Sequence, residues 1–173
     1  MRAALLRIVI SMLAGIALAG HVPAAFAHPG HNVPVDELTR DAGMILEGRV
    51  ANLESAWNVQ RTQIYTTVTV QVARYYKGAG PSQLTFRLLG GIVGDQTLAI
   101  LGQAAFGRGE NVFLFMDPRW QDGVYPVVAG EHGKFTVMLD RARGREYLFN
   151  RDADVTKFDA LGLIQRLNAG GEK

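Results

Sequence analysis

The stretch from Gln63 to Tyr76 constrains this chain more than any other. Ile64, Thr66, Val68, Val70 and Val72 alternate with Tyr65, Thr67, Thr69, Gln71 and Tyr75, and β-branched residues dominate both sets. Such side chains lose rotamer freedom against a helical turn and pack well on a pleated surface, so a period of two over this length predicts a long β-strand. A strand of this kind needs partners, and the rest of the chain supplies them. Met44, Leu46, Gly48 and Val50 alternate with Glu47 and Arg49, predicting a half-buried strand from Met44 to Val50. Lys77-Gly78-Ala79-Gly80-Pro81-Ser82 has turn chemistry, after which Leu84, Phe86 and Leu88 alternate with Thr85 and Arg87.

Regularity lapses between Gly90 and Glu110, a glycine-rich stretch that reads as a long connection with a short helical turn. Val112 to Met116 is apolar at every position, which requires cover on both faces and places this strand at the centre of the fold. Val124 to Val128, Lys134 to Leu139 and Glu146 to Asn150 read as three more strands. Asp140 to Arg145 forms the hairpin loop between the last two. Thr156 with Asp159 three residues later marks a helix start. Phe158, Leu161, Ile164 and Leu167 make its apolar stripe, and Gly170 and Gly171 end it. That stripe is expected to cover Phe113 and Phe115. The expected architecture is all-β: seven short strands separated by turn signals suggest a closed barrel or a sandwich, with a C-terminal α-helix.

The segment before Gly43 has a different purpose. Residues 1–27 combine Arg2 and Arg7, an apolar run of 12 residues from Ile8 to Ala19, and an Ala25-Phe26-Ala27 cleavage site, which together describe a secretory signal. The run is short of the roughly 20 residues that span a bilayer, so no membrane attachment is expected after cleavage. Residues 28–42 read as a polar N-terminal arm and 43–170 as one domain, expected to be periplasmic or secreted. Composition gains meaning here: the chain has 18 basic and 16 acidic residues and a formal charge of +2. Loss of Arg2 and Arg7 brings the mature charge to zero. A balanced surface argues against a nucleic-acid partner, despite the basic loop of Arg141, Arg143 and Arg145. The absence of cysteine excludes a disulfide scaffold, a lipid-anchored N-terminus and a thiol nucleophile.

The assembled residues resemble a family of small, uncharacterised secreted bacterial proteins found in the company of secreted metalloproteases. The resemblance runs through Gly48-Arg49-Val50, Ser55-Ala56-Trp57 and Ile64-Tyr65-Thr66 to Lys77-Gly78. It continues with Gly90-Gly91 and Gly94, Phe106-Gly107-Arg108-Gly109-Glu110, Val112 to Phe115, Tyr125 to Val128 and Gly133-Lys134-Phe135. His132 and Ala104 depart from its usual Gln and Pro. The order of elements is also similar to the netrin-like domain of metalloprotease inhibitors, an OB-type barrel, and this likeness implies a small OB-like (netrin-like) barrel of about six to seven strands with a C-terminal α-helix. Those inhibitors chelate the protease zinc through an N-terminal cysteine, which this chain lacks. The resemblance implies a protein partner, with a secreted metalloprotease as the expected one.

Catalysis finds no support. Ser55 and Ser82 are the only serines after the signal, neither lies in a nucleophile elbow, and Asp36-Glu37 and Asp152-Ala153-Asp154 are edge acids with solvation or helix-dipole roles. Gly90-Gly91-Ile92-Val93-Gly94 lacks the Gly-Lys-Ser/Thr of a phosphate loop. The expectation is therefore a non-enzymatic binding domain without a cofactor. Trp57, the loop glycines Gly90, Gly91 and Gly94, and the turn residue His132 are its expected contacts. The alternative is a small metal-binding protein in which the new N-terminal amine and imidazole of His28, helped by His31, chelate Cu²⁺ or Zn²⁺.

Overall fold

The valine-rich run forms β2 (Ile64–Lys77), and β1 (Met44–Trp57) before it is equally long. These elements belong to a computed structural model that describes residues 33–117, 126–151 and 154–170. Further strands are β3 (Gln83–Leu89), β4 (Gly91–Val93), β5 (Gln96–Leu98), β6 (Asn111–Met116), β7 (Lys134–Asp140), β8 (Arg145–Phe149) and β9 (Asp154–Thr156). Two helices, α1 (Val35–Asp41) and α2 (Lys157–Gly170), complete the set.

Seven strands form one antiparallel sheet in the order β3-β2-β1-β6-β7-β8-β9, with β4 and β5 as a separate ribbon. Three successive hairpin-connected strands and a fourth that returns by a long connection to lie beside the first make a Greek key. The returning strand is β6, which pairs with β1 from Met44↔Met116 to Arg49↔Asn111. Its five residues Val112 to Met116 are each 0% exposed, as a strand apolar at every position requires. Val112, Leu114 and Met116 join Leu46, Val50, Val68, Val70, Leu84, Phe86 and Leu88 on a first face. Phe113 and Phe115 join Phe135, Leu148, Leu38, Ala160 and Ile164 on a second. The two helices and the C-terminal end of the sheet therefore share the second face, as expected for α2.

Several expectations need correction. Closure of the sheet into a barrel is not seen: among the described residues β3 and β9 are its two edges. A barrel needs its first and last strands hydrogen-bonded to one another; here β9 has three residues against the seven of β3, and β7, β8 and β9 continue the sheet outward as a meander. The segment read as an arm holds α1 from residue 35. A helix of seven residues is too short to show a period, and it is held by packing. Leu38 is buried, and Lys77 Nζ donates to the carbonyl of Thr39 at 2.7 Å, satisfying a helix C-terminal acceptor. The first strand runs past Val50 to Trp57 because β2 pairs with it over that whole length, so Trp57 ends a strand where a loop was expected. The 90–110 connection holds the β4–β5 ribbon and, among the described residues, no helical turn. Of the strand expected at Val124–Val128, residues 118–125 lie outside the described ones and Val127 makes a single bridge to Met116.

Two further differences come from local geometry. Ala73 has no partner between Arg74↔Glu47 and Val72↔Gly48, and this bulge turns Tyr75 onto the face of Val72 rather than the opposite one. Phe158 is 85% exposed, so the apolar stripe of α2 is Ala160, Leu161 and Ile164 without it. The start of α2 is as expected: the Asp159 N–H is donated to Thr156 Oγ1 at 3.2 Å, and the hydroxyl of Thr156 donates to the Asp159 carboxylate.

Candidate functional site

The site follows from how the Greek-key connection crosses the first face. After β3 the chain must turn back over the sheet, and Gly90 and Gly91 do this at φ of +100° and +139°, values that side chains with a Cβ rarely adopt. Gly90 N–H donates to Ile64 O at 2.7 Å, and Gly90 O accepts from Thr66 Oγ1 at 2.7 Å. Ser55 and Thr66 hydroxyls lie 2.9 Å apart beneath Gly91, so close that a Cβ there would stand 2.3 Å from Thr66 Oγ1. Ile64 is the cross-strand partner of Trp57. Trp57, Gly90 and Gly91 are thereby brought to the same end of the sheet.

Between the connection and the sheet lies a cavity of about 430 Å³. Leu53, Val68 and Leu88 form its floor; Ile92, Leu98, Ile100 and Phe106 come from the connection. A second cavity of about 100 Å³ adjoins it, sharing Leu88, Ile100, Gln103 and Ala104 and reaching Val127 and Gly130. Gln103 pins the connection by donating from Nε2 to Leu89 O at 2.6 Å. Apolar side chains are exposed here: Ile92 on the larger cavity is 64% exposed and Leu101 on the smaller one fully so, while Trp57 at 37% and Val59 at 96% stand at the tip of the β1–β2 ribbon. A concave apolar site with few polar groups is the usual form of a binding pocket.

The far end of the connection is fastened by charge. Glu110 Oε1 is paired with Lys134 Nζ and accepts the hydroxyl of Thr136, while Oε2 accepts the Gly107 N–H at 2.9 Å. Burial alone would raise the Glu110 pKa, but the hydrogen bonds from Lys134, Thr136 and Gly107 outweigh it and hold the carboxyl below its ordinary value. Lys134 Nζ also lies 5.6 Å from the ring centroid of Phe106. Two of the motifs that carried the resemblance, Phe106 to Glu110 and Gly133 to Phe135, meet in this one contact.

The remaining sequence candidates disperse. Gly94 forms the β4–β5 turn at φ +62° with open space around it, away from the cavity lining. His132 sits in the 3-10 turn Gly130–Gly133, where its carbonyl accepts from Asn150 Nδ2 at 2.9 Å, and it does not line the cavity. His28 and His31 lie outside the described residues, as does Tyr125. Among the described residues no group of three or more His, Asp or Glu side chains is arranged to hold a metal. No helix of the described residues is long and apolar enough to cross a membrane. Sequence reasoning missed Ile100, Gln103 and Ala104 as cavity residues, since they lie in a stretch without periodicity; the motif ending at Glu110 was the available signal, because an acid next to a fully apolar strand requires a partner.

No protein-family profile matches the chain, and no curated protein shows significant similarity to it.

Proposed function

We propose that this chain is a non-enzymatic extracytoplasmic binding domain whose target is a protein, a secreted metalloprotease being the partner that the family resemblance favours. The observation behind this reading is the open end of the first face, where exposed Ile92 lines the cavity under the connection, exposed Leu101 lines the smaller one beside it, and Trp57 ends β1 opposite Ile64. Exposed aromatic and aliphatic side chains around a concave apolar site are the usual anchors of a protein contact. The Greek-key order β3-β2-β1-β6 followed by β7 supports reading the sheet as a partly open OB-type barrel of the netrin-like kind. A netrin-like inhibitor without its cysteine would have to hold its target by surface contact, which an apolar rim can provide.

The test is co-purification of the tagged mature protein from the extracytoplasmic fraction of its native cells, beside a Trp57→Ala, Ile92→Ser double variant. Recovery of a metalloprotease with the parent and its loss with the variant is the expected result. Equal recovery by both proteins, or of no specific protein by either, would overturn the reading.

A further inference from the structure

Two arginines from separate motifs converge on the surface of β1. Arg49, from Gly48-Arg49-Val50, and Arg108, from the motif ending at Glu110, line one cavity of about 300 Å³ together with Val50, Ala51, Gln71 and Gly109. Each guanidinium is fixed by the main chain. Arg49 Nε donates to Gly109 O at 3.1 Å, and Arg108 Nη2 donates to Leu53 O at 3.3 Å. A guanidinium has five N–H donors, so each keeps a free edge after this single bond. The carbonyls hold both side chains in place, which lowers the ordering cost of gripping a ligand.

The surroundings favour an anion. None of the six lining residues is acidic, and neighbouring Glu110 is already engaged by Lys134, Thr136 and Gly107. Neither arginine makes an ion pair among the described residues. The backbone is shaped to allow the arrangement. Ala51 is an extra residue between Val50↔Val70 and Asn52↔Thr69, a bulge of the kind that re-aims side chains. Gly109 takes a φ of +79°, a left-handed conformation that favours glycine, and its carbonyl is the one that accepts from Arg49.

We infer that Arg49 and Arg108 form an oxyanion-binding site that takes a single carboxylate or phosphate group. Planar N–H pairs match the two oxygens of either group, and the site is independent of which protein occupies the apolar rim. Both arginines are exposed, so a free anion binds weakly, with a dissociation constant of about 1–10 mM.

The experiment is an NMR titration of the ¹⁵N-labelled mature chain, following the arginine Nε–Hε and Gly109 amide signals. Sodium phosphate and sodium acetate are the two probes, and sodium chloride at matched ionic strength is the control. Saturable shifts with one or both probes and none with chloride are expected; phosphate alone would point to a phosphoryl ligand, acetate to a carboxylate. Arg49→Gln and Arg108→Gln should each weaken the midpoint by about fivefold or more with the rest of the spectrum intact. Arg108→Lys, which keeps the charge and loses the fork, should fall between, and Arg87→Gln should change nothing. Shifts that merely follow ionic strength, or midpoints unchanged in both glutamine variants, would overturn the site.

Discussion

The two faces of the sheet are covered by different means. On the second face, α1 and α2 cover a row of aromatic rings: Tyr76 stacks on Phe113 at 5.2 Å between centroids, Phe113 meets Phe115 at 5.6 Å, and Phe115 meets Phe135 at 5.9 Å. Charge secures this cover, because Lys157 at the start of α2 donates to Glu47 on β1 and Glu146 on β8, each at 2.7 Å. Tyr76 donates to the same Glu47, and burial first, then that carboxylate, push its pKa up to about 12. On the first face the cover is a glycine-rich connection with cavities beneath it and exposed apolar residues along its rim. Regular elements bury their backbone groups by themselves, whereas an irregular cover must be tied down at chosen points, here Gly90, Gln103 and Glu110. Both faces hold a buried core, but one is closed by packed helices and the other by an irregular segment with cavities beneath it.

The sharpest way to break this comparison is to empty the helix-covered face. Phe113→Ala should lower unfolding free energy by about 3–5 kcal/mol in urea titration. A loss below about 1 kcal/mol would mean that the aromatic row is not the core. Removing the tie at the far end of the connection should cost less. Glu110→Gln loses the charge facing Lys134, with an expected cost of about 2 kcal/mol. Because the folded-state pKa of Glu110 is depressed, its contribution is complete above the ordinary carboxylate range near 4.5 and is lost as pH falls through the lowered value. Parent and variant should therefore converge in thermal stability towards acidic pH; a constant gap would contradict the assignment.

Smaller effects separate the covers more finely. Gly91→Ala forces a Cβ against Thr66 and Ser55 at an unfavourable φ, for about 1–3 kcal/mol. Hydrogen exchange should then speed up in the 90–98 ribbon and remain unchanged in α2. Uniform acceleration across both faces would deny that they are separable. Least of all for stability, Trp57→Ala should change unfolding free energy by about 0.5 kcal/mol or less while abolishing partner capture. Full destabilisation with capture retained would make Trp57 a packing residue.

What the sequence made legible follows the same division. Period-two runs announced β1, β2 and β3, and an apolar run without polar positions located the central strand β6, because burial on both faces leaves a direct imprint on composition. The α2 cap at Thr156 was readable for the same local reason. Trp57, Gly90 and Gly91 were found as candidates because aromatics and glycines at strand ends are unusual by themselves. Strand closure was not legible, since edge pairing depends on the relative lengths of distant strands such as β3 and β9. Neither was α1, whose seven residues depend on Lys77 and the second-face core, nor the exposure of Phe158, which has the right spacing on the wrong side of its helix. The Arg49 and Arg108 pair needed a fold to bring two motifs together.

The division of labour is tested most directly by photo-crosslinking, with a photoreactive residue in place of Ile92 on the connection or of Phe158 on α2, both apolar and exposed. In cells that make and export the protein, a discrete adduct is expected from position 92, its partner peptides mapping to one secreted protease, and none from position 158. An adduct from position 158 alone would contradict it.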